Sequence, residues 1–160
     1  SHPLHKVTIL PRAQSLGHTA FVPETEGYSH TKSQLLASMD VAFGGRIAEE
    51  LTFGHDKITT GAMGDYQNAT KIAIQMIKMF GMSDKTGPRA FIMGEKDELS
   101  EQTQDLLDLE IKRLLEESYN RAKNILRNHS HELKVIAEAL LDRETLDADQ
   151  IKKLIEGQKI

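Results

Sequence analysis

The 160 residues contain no cysteine and no tryptophan, and only 5% are aromatic. Missing thiols exclude disulfides, thiolate zinc sites, iron–sulfur clusters and a cysteine nucleophile. No apolar run approaches the roughly 20 residues that span a bilayer, and no signal peptide is visible. A positive excess is lacking too: 20 Lys and Arg stand against 24 Asp and Glu, a net charge of −4. That balance offers no bulk grip on nucleic acid, so no such partner is expected. Strong catalytic signatures are also absent. The sequence holds no G-x-x-x-x-G-K-[ST] loop, no G-x-S-x-G elbow and no complete H-E-x-x-H. His131-Glu132 begins the last of these, but Val135 stands where the second histidine belongs.

What remains is an ordinary globular composition, 39% hydrophobic and 28% charged, too apolar for a disordered tail. Its length suits one domain over residues 1–160, without repeats or linkers. The opening Ser-His-Pro-Leu-His has no Met. It reads as the start of a fragment or processed chain, with any membrane tether lying outside it.

The first thirty residues read as extended. Val7 and Ile9 alternate with polar neighbours up to Pro11, and a second run, Leu16 to Val22, closes at Pro23. Residues 11–15 between them suit a hairpin or a longer crossing, and an irregular arm is the alternative. From Thr31 the period becomes helical. Thr31-x-x-Gln34 is a capping-box pattern, and Leu35, Leu36, Met39, Phe43, Ile47 and Leu51 follow on one stripe, with Gly54 placed to stop it. Gly44-Gly45 interrupts this run at a cost of about 2 kcal/mol of helix propensity, which predicts close approach of another backbone or a kink.

Thr59-Thr60-Gly61 opens a second helix with Tyr66, Ala69, Ala73, Met76, Ile77 and Phe80 inward and Gly81 as its stop. A short strand is expected at Ala90–Met93. Ser100 caps a long helix to about Asn128 with the stripe Leu107, Ile111, Leu114, Leu115, Tyr119, Ala122, Ile125 and Leu126. Its charged faces place Glu110–Arg113 and Glu117–Arg121 at surface-neighbour spacing. Ser130 caps another helix carrying Leu133, Ile136, Ala137, Leu140 and Leu141. Asp147-x-x-Gln150 caps a last one carrying Ile151, Leu154 and Ile155, ended by Gly157. The expected fold is mainly α: a compact helical domain of about five helices with a small N-terminal β element.

Histidines give little chemistry by spacing. His2 and His5 lack a third ligand, and His18, His30, His129 and His131 read as surface or loop residues. Asp65 stands out. It heads the series Asp65, Ala69, Ile72, Met76, the inward side of its helix, and it sits in the first turn where the dipole favours an anion. A buried carboxylate needs a cation, a metal or several donors. Asp65 therefore either caps its own helix, pairs with an arginine such as Arg46, or awaits a metal. Glu49-Glu50, near a helix end whose dipole opposes acids, reads as a solvated face or as a functional pair.

Several of these residues together resemble a known family. Gly44-Gly45-Arg46-Ile47-Ala48-Glu49-Glu50-Leu51, followed by Thr59-Thr60-Gly61-Ala62-Met63-Gly64-Asp65, resembles the FtsH-like family of membrane-anchored, ATP-dependent zinc proteases. Lys6-Val7-Thr8-Ile9-Leu10-Pro11-Arg12 and Phe80-Gly81-Met82-Ser83 agree with it. Met39-Asp40-Val41, Glu117-Ser118-Tyr119 and Ala137-Glu138-Ala139-Leu140-Leu141 look closest to its mitochondrial inner-membrane branch, the i-AAA proteases. The likeness covers essentially the whole chain.

In that family two His of an H-E-x-x-H helix and one Asp of T-T-G-A-x-x-D hold zinc. The resemblance therefore implies Asp65 as a metal ligand and Glu49 as a supporting residue beside the metal helix. It places no catalytic residue in this chain, because the general base belongs to the H-E-x-x-H helix, expected upstream of Ser1. The isolated chain, with an incomplete zinc site, is expected to be inactive. The strand around Leu16, Gly17, His18 and Thr19 is implied to take substrate as an added strand. Implied cofactors are zinc, and ATP on a module outside this chain. Implied partners are sister subunits of a homo- or hetero-hexamer, unfolded polypeptides, and a membrane reached through a segment outside the chain. The implied location is the mitochondrial inner membrane, with a bacterial or plastid membrane as alternative. The competing functional class is a non-catalytic helical oligomerisation or binding module with no metal site.

Overall fold

The structure, a computed structural model, describes residues 3–11, 18–21, 29–91 and 99–160. The chain divides into two units, residues 1–28 with 128–160, and residues 29–127. Five α-helices and one three-stranded sheet are present among the described residues.

The first unit carries the sheet. Strand β1 (Leu4–Thr8) lies between β2 (His18–Phe21) and β3 (Thr145–Asp147), antiparallel to both. Val7 faces Thr19 on one side and Leu146 on the other. The antiparallel β1–β2 pair agrees with the two extended runs. The third strand is a difference: it comes from the C-terminal end of the chain, and three residues are too few to show a period. The chain enters it through Glu144, which takes a left-handed φ of 66° after helix α4 (Ser130–Arg143) and donates its N–H to the Leu140 carbonyl at 2.8 Å. Thr8, buried, locks this corner with its hydroxyl against that of Thr145 at 2.8 Å.

Helix α5 (Ala148–Ile155) starts at the expected box, with Gln150 N–H donating to Asp147 at 2.8 Å and Asp147 N–H to the Gln150 side chain at 3.0 Å. Leu140, Leu146 and Ile151 form the core, with Leu4, Val7, Ile136 and Leu154 against them. Ala137, Leu141 and Ile155, expected inside, are exposed, because they sit on the flanks of their stripes where no described element reaches. Ser130 does not cap α4; His129 occupies the N-cap position without a side-chain bond.

The second unit is helical. Helix α1 (Lys32–Phe53) begins at the Thr31–Gln34 capping box and ends at Gly54, whose φ of 85° favours glycine. Helix α2 (Met63–Ile74) runs on into a π-helical stretch, Gln75–Met79, before Gly81 turns the chain at φ 59°. This widened turn was not readable from periodicity, and it leaves Phe80 exposed rather than inside. Ala90 and Phe91 are not in a strand, while residues 92–93 lie outside the described ones. Phe91 instead packs into the core, where its N–H reaches the Lys78 carbonyl at 2.6 Å. Helix α3 (Glu101–Asn128) is capped by Ser100, which accepts from Thr103 N–H at 3.1 Å.

Met39, Ala73, Met76, Ile77, Leu107 and Leu114 make one core cluster, and Ala42, Phe43, Ile47, Ala69 and Ala122 a second. Ile125 is exposed, one flank off the α3 stripe. Three acids tie the unit together. Asp40 accepts from the buried Ser118 hydroxyl and takes Arg121 in a two-bond fork at 3.0 and 3.1 Å. Glu50 accepts from the Tyr119 hydroxyl. Glu110, expected on a charged surface, is only 1% exposed and bonds Ser83 and Arg113. Arg113 also holds Glu117 at 3.0 Å, so Arg121 is free to reach Asp40 instead of its helix neighbour.

Candidate metal centre

The site is built from the end of α1, the connection that follows it, and the first turn of α2. Glu49 and Arg46 lie three positions apart, hence on neighbouring parts of one helix face. Both turn to Thr59. The two Glu49 oxygens accept from the Thr59 hydroxyl at 2.7 Å and from its N–H at 3.1 Å. Arg46 Nη1 donates to the Thr59 carbonyl at 3.1 Å. Thr59 Oγ1 in turn accepts from Gly61 N–H at 3.2 Å, capping the 3-10 turn Thr60–Ala62 that launches α2. The Thr59 hydroxyl, then its N–H, and the nearby Arg46 charge hold the Glu49 carboxyl below its usual range. Glu49 thus ties the end of α1 to Thr59, ten residues on, through both the hydroxyl and the N–H of that residue.

Asp65 lies in the first turn of α2. The periodicity places it inward, but the residue is exposed. The expected burial fails at Asp65 itself and holds only further along the same side, where Ala69 and Met76 are fully buried. The side that is covered at Ala69 is open one turn earlier, at Asp65. Neither intramolecular alternative forms. Arg46 is spent on Thr59 and stacks on Tyr66, with its guanidinium carbon 5.0 Å from the ring centre. The N-cap of α2 is Ala62, with no side-chain cap bond. The Asp65 carboxylate makes no hydrogen bond and no ion pair within the described residues. Its position also accounts for half of the glycine pair. A Cβ on Gly45 would meet Asp65 Oδ2 at 3.7 Å, whereas one on Gly44 would meet nothing within 4 Å. Neither the expected backbone approach nor a break in α1 is found; what lies over Gly45 is a carboxylate oxygen.

Among the described residues, no group of three His, Asp or Glu side chains is placed to hold a metal. Zinc sites of catalytic type use three protein ligands and keep one position open. An exposed carboxylate without a protein donor, at a helix N-terminal turn, fits one of those three. The described residues supply no second or third ligand beside it. A groove of about 470 Å³ along α2, lined by Met63, Gln67, Thr70 and Ile74, lies on the far side of the helix. At about 100° per residue, Met63 and Ile74 stand roughly 160–180° from Asp65. Tyr66 also lines the groove, and Asp65 does not.

Of the implied substrate strand, Leu16 and Gly17 lie outside the described residues. His18 and Thr19 fall in β2, opposite Thr8 and Val7. In the order β2-β1-β3, β2 is an edge strand of the sheet.

The motif residues Gly44–Leu51 and Thr59–Asp65, which resemble those of zinc proteases, thus meet at the end of α1 and the start of α2. The class is borne out by comparison: residues 1–154 match the profile of Peptidase family M41. The chain belongs to that family. It is 55% identical, over 99% of its length, to the ATP-dependent zinc metalloprotease YME1 homolog of Caenorhabditis elegans, and covers 23% of that protein. It is 57% identical over 97% of its length to ATP-dependent zinc metalloprotease YME1L of Drosophila melanogaster, covering 22% of it. It is 51% identical over 99% of its length to ATP-dependent zinc metalloprotease YME1L1 of Homo sapiens, covering 20%. The chain thus spans about a fifth of the length of the curated relatives it matches.

Proposed function

We propose that the 160 residues are a peptidase domain of an ATP-dependent zinc endopeptidase, and that Asp65 supplies one protein ligand to the zinc. The observation that carries this reading is the state of Asp65: in a chain of this family, it is an exposed first-turn carboxylate that the described residues leave without a donor or cation. Its helix dipole and its open side favour a cation arriving from outside. Zinc, when bound, supplies a polarised carbonyl and an acidic water for peptide hydrolysis. The chain's own residues do the rest of the work assigned to them. Asp65 holds the metal, Glu49 keeps the connection through Thr59 in place, and β2, with His18 and Thr19, offers an edge to which an extended polypeptide adds by backbone hydrogen bonds. Leu16 and Gly17 continue that edge in sequence. Recognition through backbone would make specificity broad and favour unfolded or unassembled membrane-associated proteins.

ATP is bound by a module outside these residues, and the remaining zinc ligands and the general base come from an H-E-x-x-H helix upstream. Sister subunits assemble as a hexamer. The names of the relatives favour this reading over a non-catalytic binding module. The proposed location is the mitochondrial inner membrane; one further relative, 46% identical, is named chloroplastic/mitochondrial. The test is degradation of an unfolded substrate such as casein by the full-length gene product. Cleavage is expected to need ATP, to stop with a zinc chelator and to return with zinc, and to be lost in Asp65→Ala. Chelator-resistant cleavage, or full activity in Asp65→Ala, would overturn it.

A further inference from the structure

The Arg46 side chain touches both ends of the segment carrying Asp65. On the near side its Nη1 holds the Thr59 carbonyl at 3.1 Å. On the far side its guanidinium lies over the ring of Tyr66, next in sequence to Asp65, 5.0 Å from the ring centre. Tyr66 is itself pinned edge-on against Phe43 of α1, with ring centres 5.3 Å apart. Between these two contacts run only the 3-10 turn and the first residues of α2. The arrangement has a visible cost. Arg46 Nε is buried and has no hydrogen-bond partner, although a free guanidinium donor is normally satisfied. A side chain held in that compromise is held by its other contacts. Arg46 makes no direct ion pair among the described residues, although its charge acts on nearby Glu49.

We infer that Arg46 is a positioning residue for the metal: by bracketing Thr59 and Tyr66 it fixes where the Asp65 carboxylate stands. This rests on Asp65 being a zinc ligand. Partners that orient a ligand without touching the metal typically change metal affinity about 10- to 100-fold when removed. Glu49 holds two of the polar groups of Thr59 but does not reach Tyr66, so it cannot replace Arg46 on the far side.

The experiment uses the full-length gene product and three variants: Arg46→Gln, Arg46→Lys and Asp65→Ala. Zinc affinity is read by competition with a chromophoric chelator, and kcat and KM on an unfolded substrate are read separately. Arg46→Gln should bind zinc about tenfold more weakly, with kcat lowered and KM held. Arg46→Lys, which keeps the charge and one donor, should lie between Arg46→Gln and the parent. Unchanged zinc affinity in Arg46→Gln overturns the inference. Should Arg46→Gln fail to fold, Arg46→Lys decides: weaker zinc binding upholds the inference, and parental affinity overturns it. Asp65→Ala separates the two levels. If it loses zinc while both Arg46 variants keep it, only the positioning role falls; if it keeps zinc, the ligand assignment falls and the positioning role with it.

Discussion

Two groups of carboxylates in the helical unit are treated in opposite ways. Along α1 and α3, Asp40, Glu50 and Glu110 each find partners inside the chain: Ser118 with Arg121, Tyr119, and Ser83 with Arg113. Each is held where burial without partners would be costly. At the start of α2, Asp65 has the opposite surroundings. It is exposed, and Arg46, which lies over the ring of the next residue, is engaged elsewhere. The contrast separates acids that hold the fold from an acid that the fold holds out. Glu49 stands between the two groups, since its partners are the backbone and hydroxyl of the loop that delivers Asp65.

The largest effect expected from this contrast is at Arg113. Arg113→Ala strips Glu110 of its hydrogen-bonded cation and leaves a buried acid with Ser83 and the more distant charge of Lys85, a loss of about 3 kcal/mol at pH 7. The sign with pH follows from the lowered pKa of Glu110, set first by the Arg113 bond. A depressed carboxyl pKa stabilises the fold above the unfolded value and loses that contribution as the pH falls through the folded one. Urea unfolding should therefore show parent and variant converging below about pH 4.5. A gap that persists in acid would mean Glu110 is not the group involved. Asp40→Ala comes next, at about 2 kcal/mol, because it leaves the buried Ser118 hydroxyl without an acceptor; the same unfolding measurement reads it. Asp65→Asn should be the smallest, within about 0.5 kcal/mol in metal-free protein. A cost as large as that of Asp40→Ala would reveal a partner for Asp65 within the fold and erase the contrast.

Much of this arrangement was legible in the residues. Thr31–Gln34 and Asp147–Gln150 announce their helices because a capping box is local, and Gly54 and Gly81 mark ends for the same reason. The order of motifs from Gly44 to Asp65 carried the family. What was not legible depends on distance along the chain. A charged residue on a helix reads as solvated, so Glu110 gave no sign of its Ser83 partner, 27 residues earlier. β3 pairs residues nearly 140 positions apart and is too short to show alternation. For Asp65 the helical period predicted a burial that is not found, since no pattern within α2 says how far its neighbours extend over the first turn. Met39-Asp40-Val41 and Glu117-Ser118-Tyr119, noticed only as signatures of a branch, meet in space through Asp40 and Ser118. Asp40 and Ser118 thus join α1 to α3.

The central claim is that Asp65 is kept free for zinc. Metal content of the full-length gene product, purified and dialysed at fixed free zinc, tests it without reference to activity. About one zinc per chain is expected in the parent and little in Asp65→Asn, with both proteins melting alike once stripped of metal; equal zinc in the two would contradict the account.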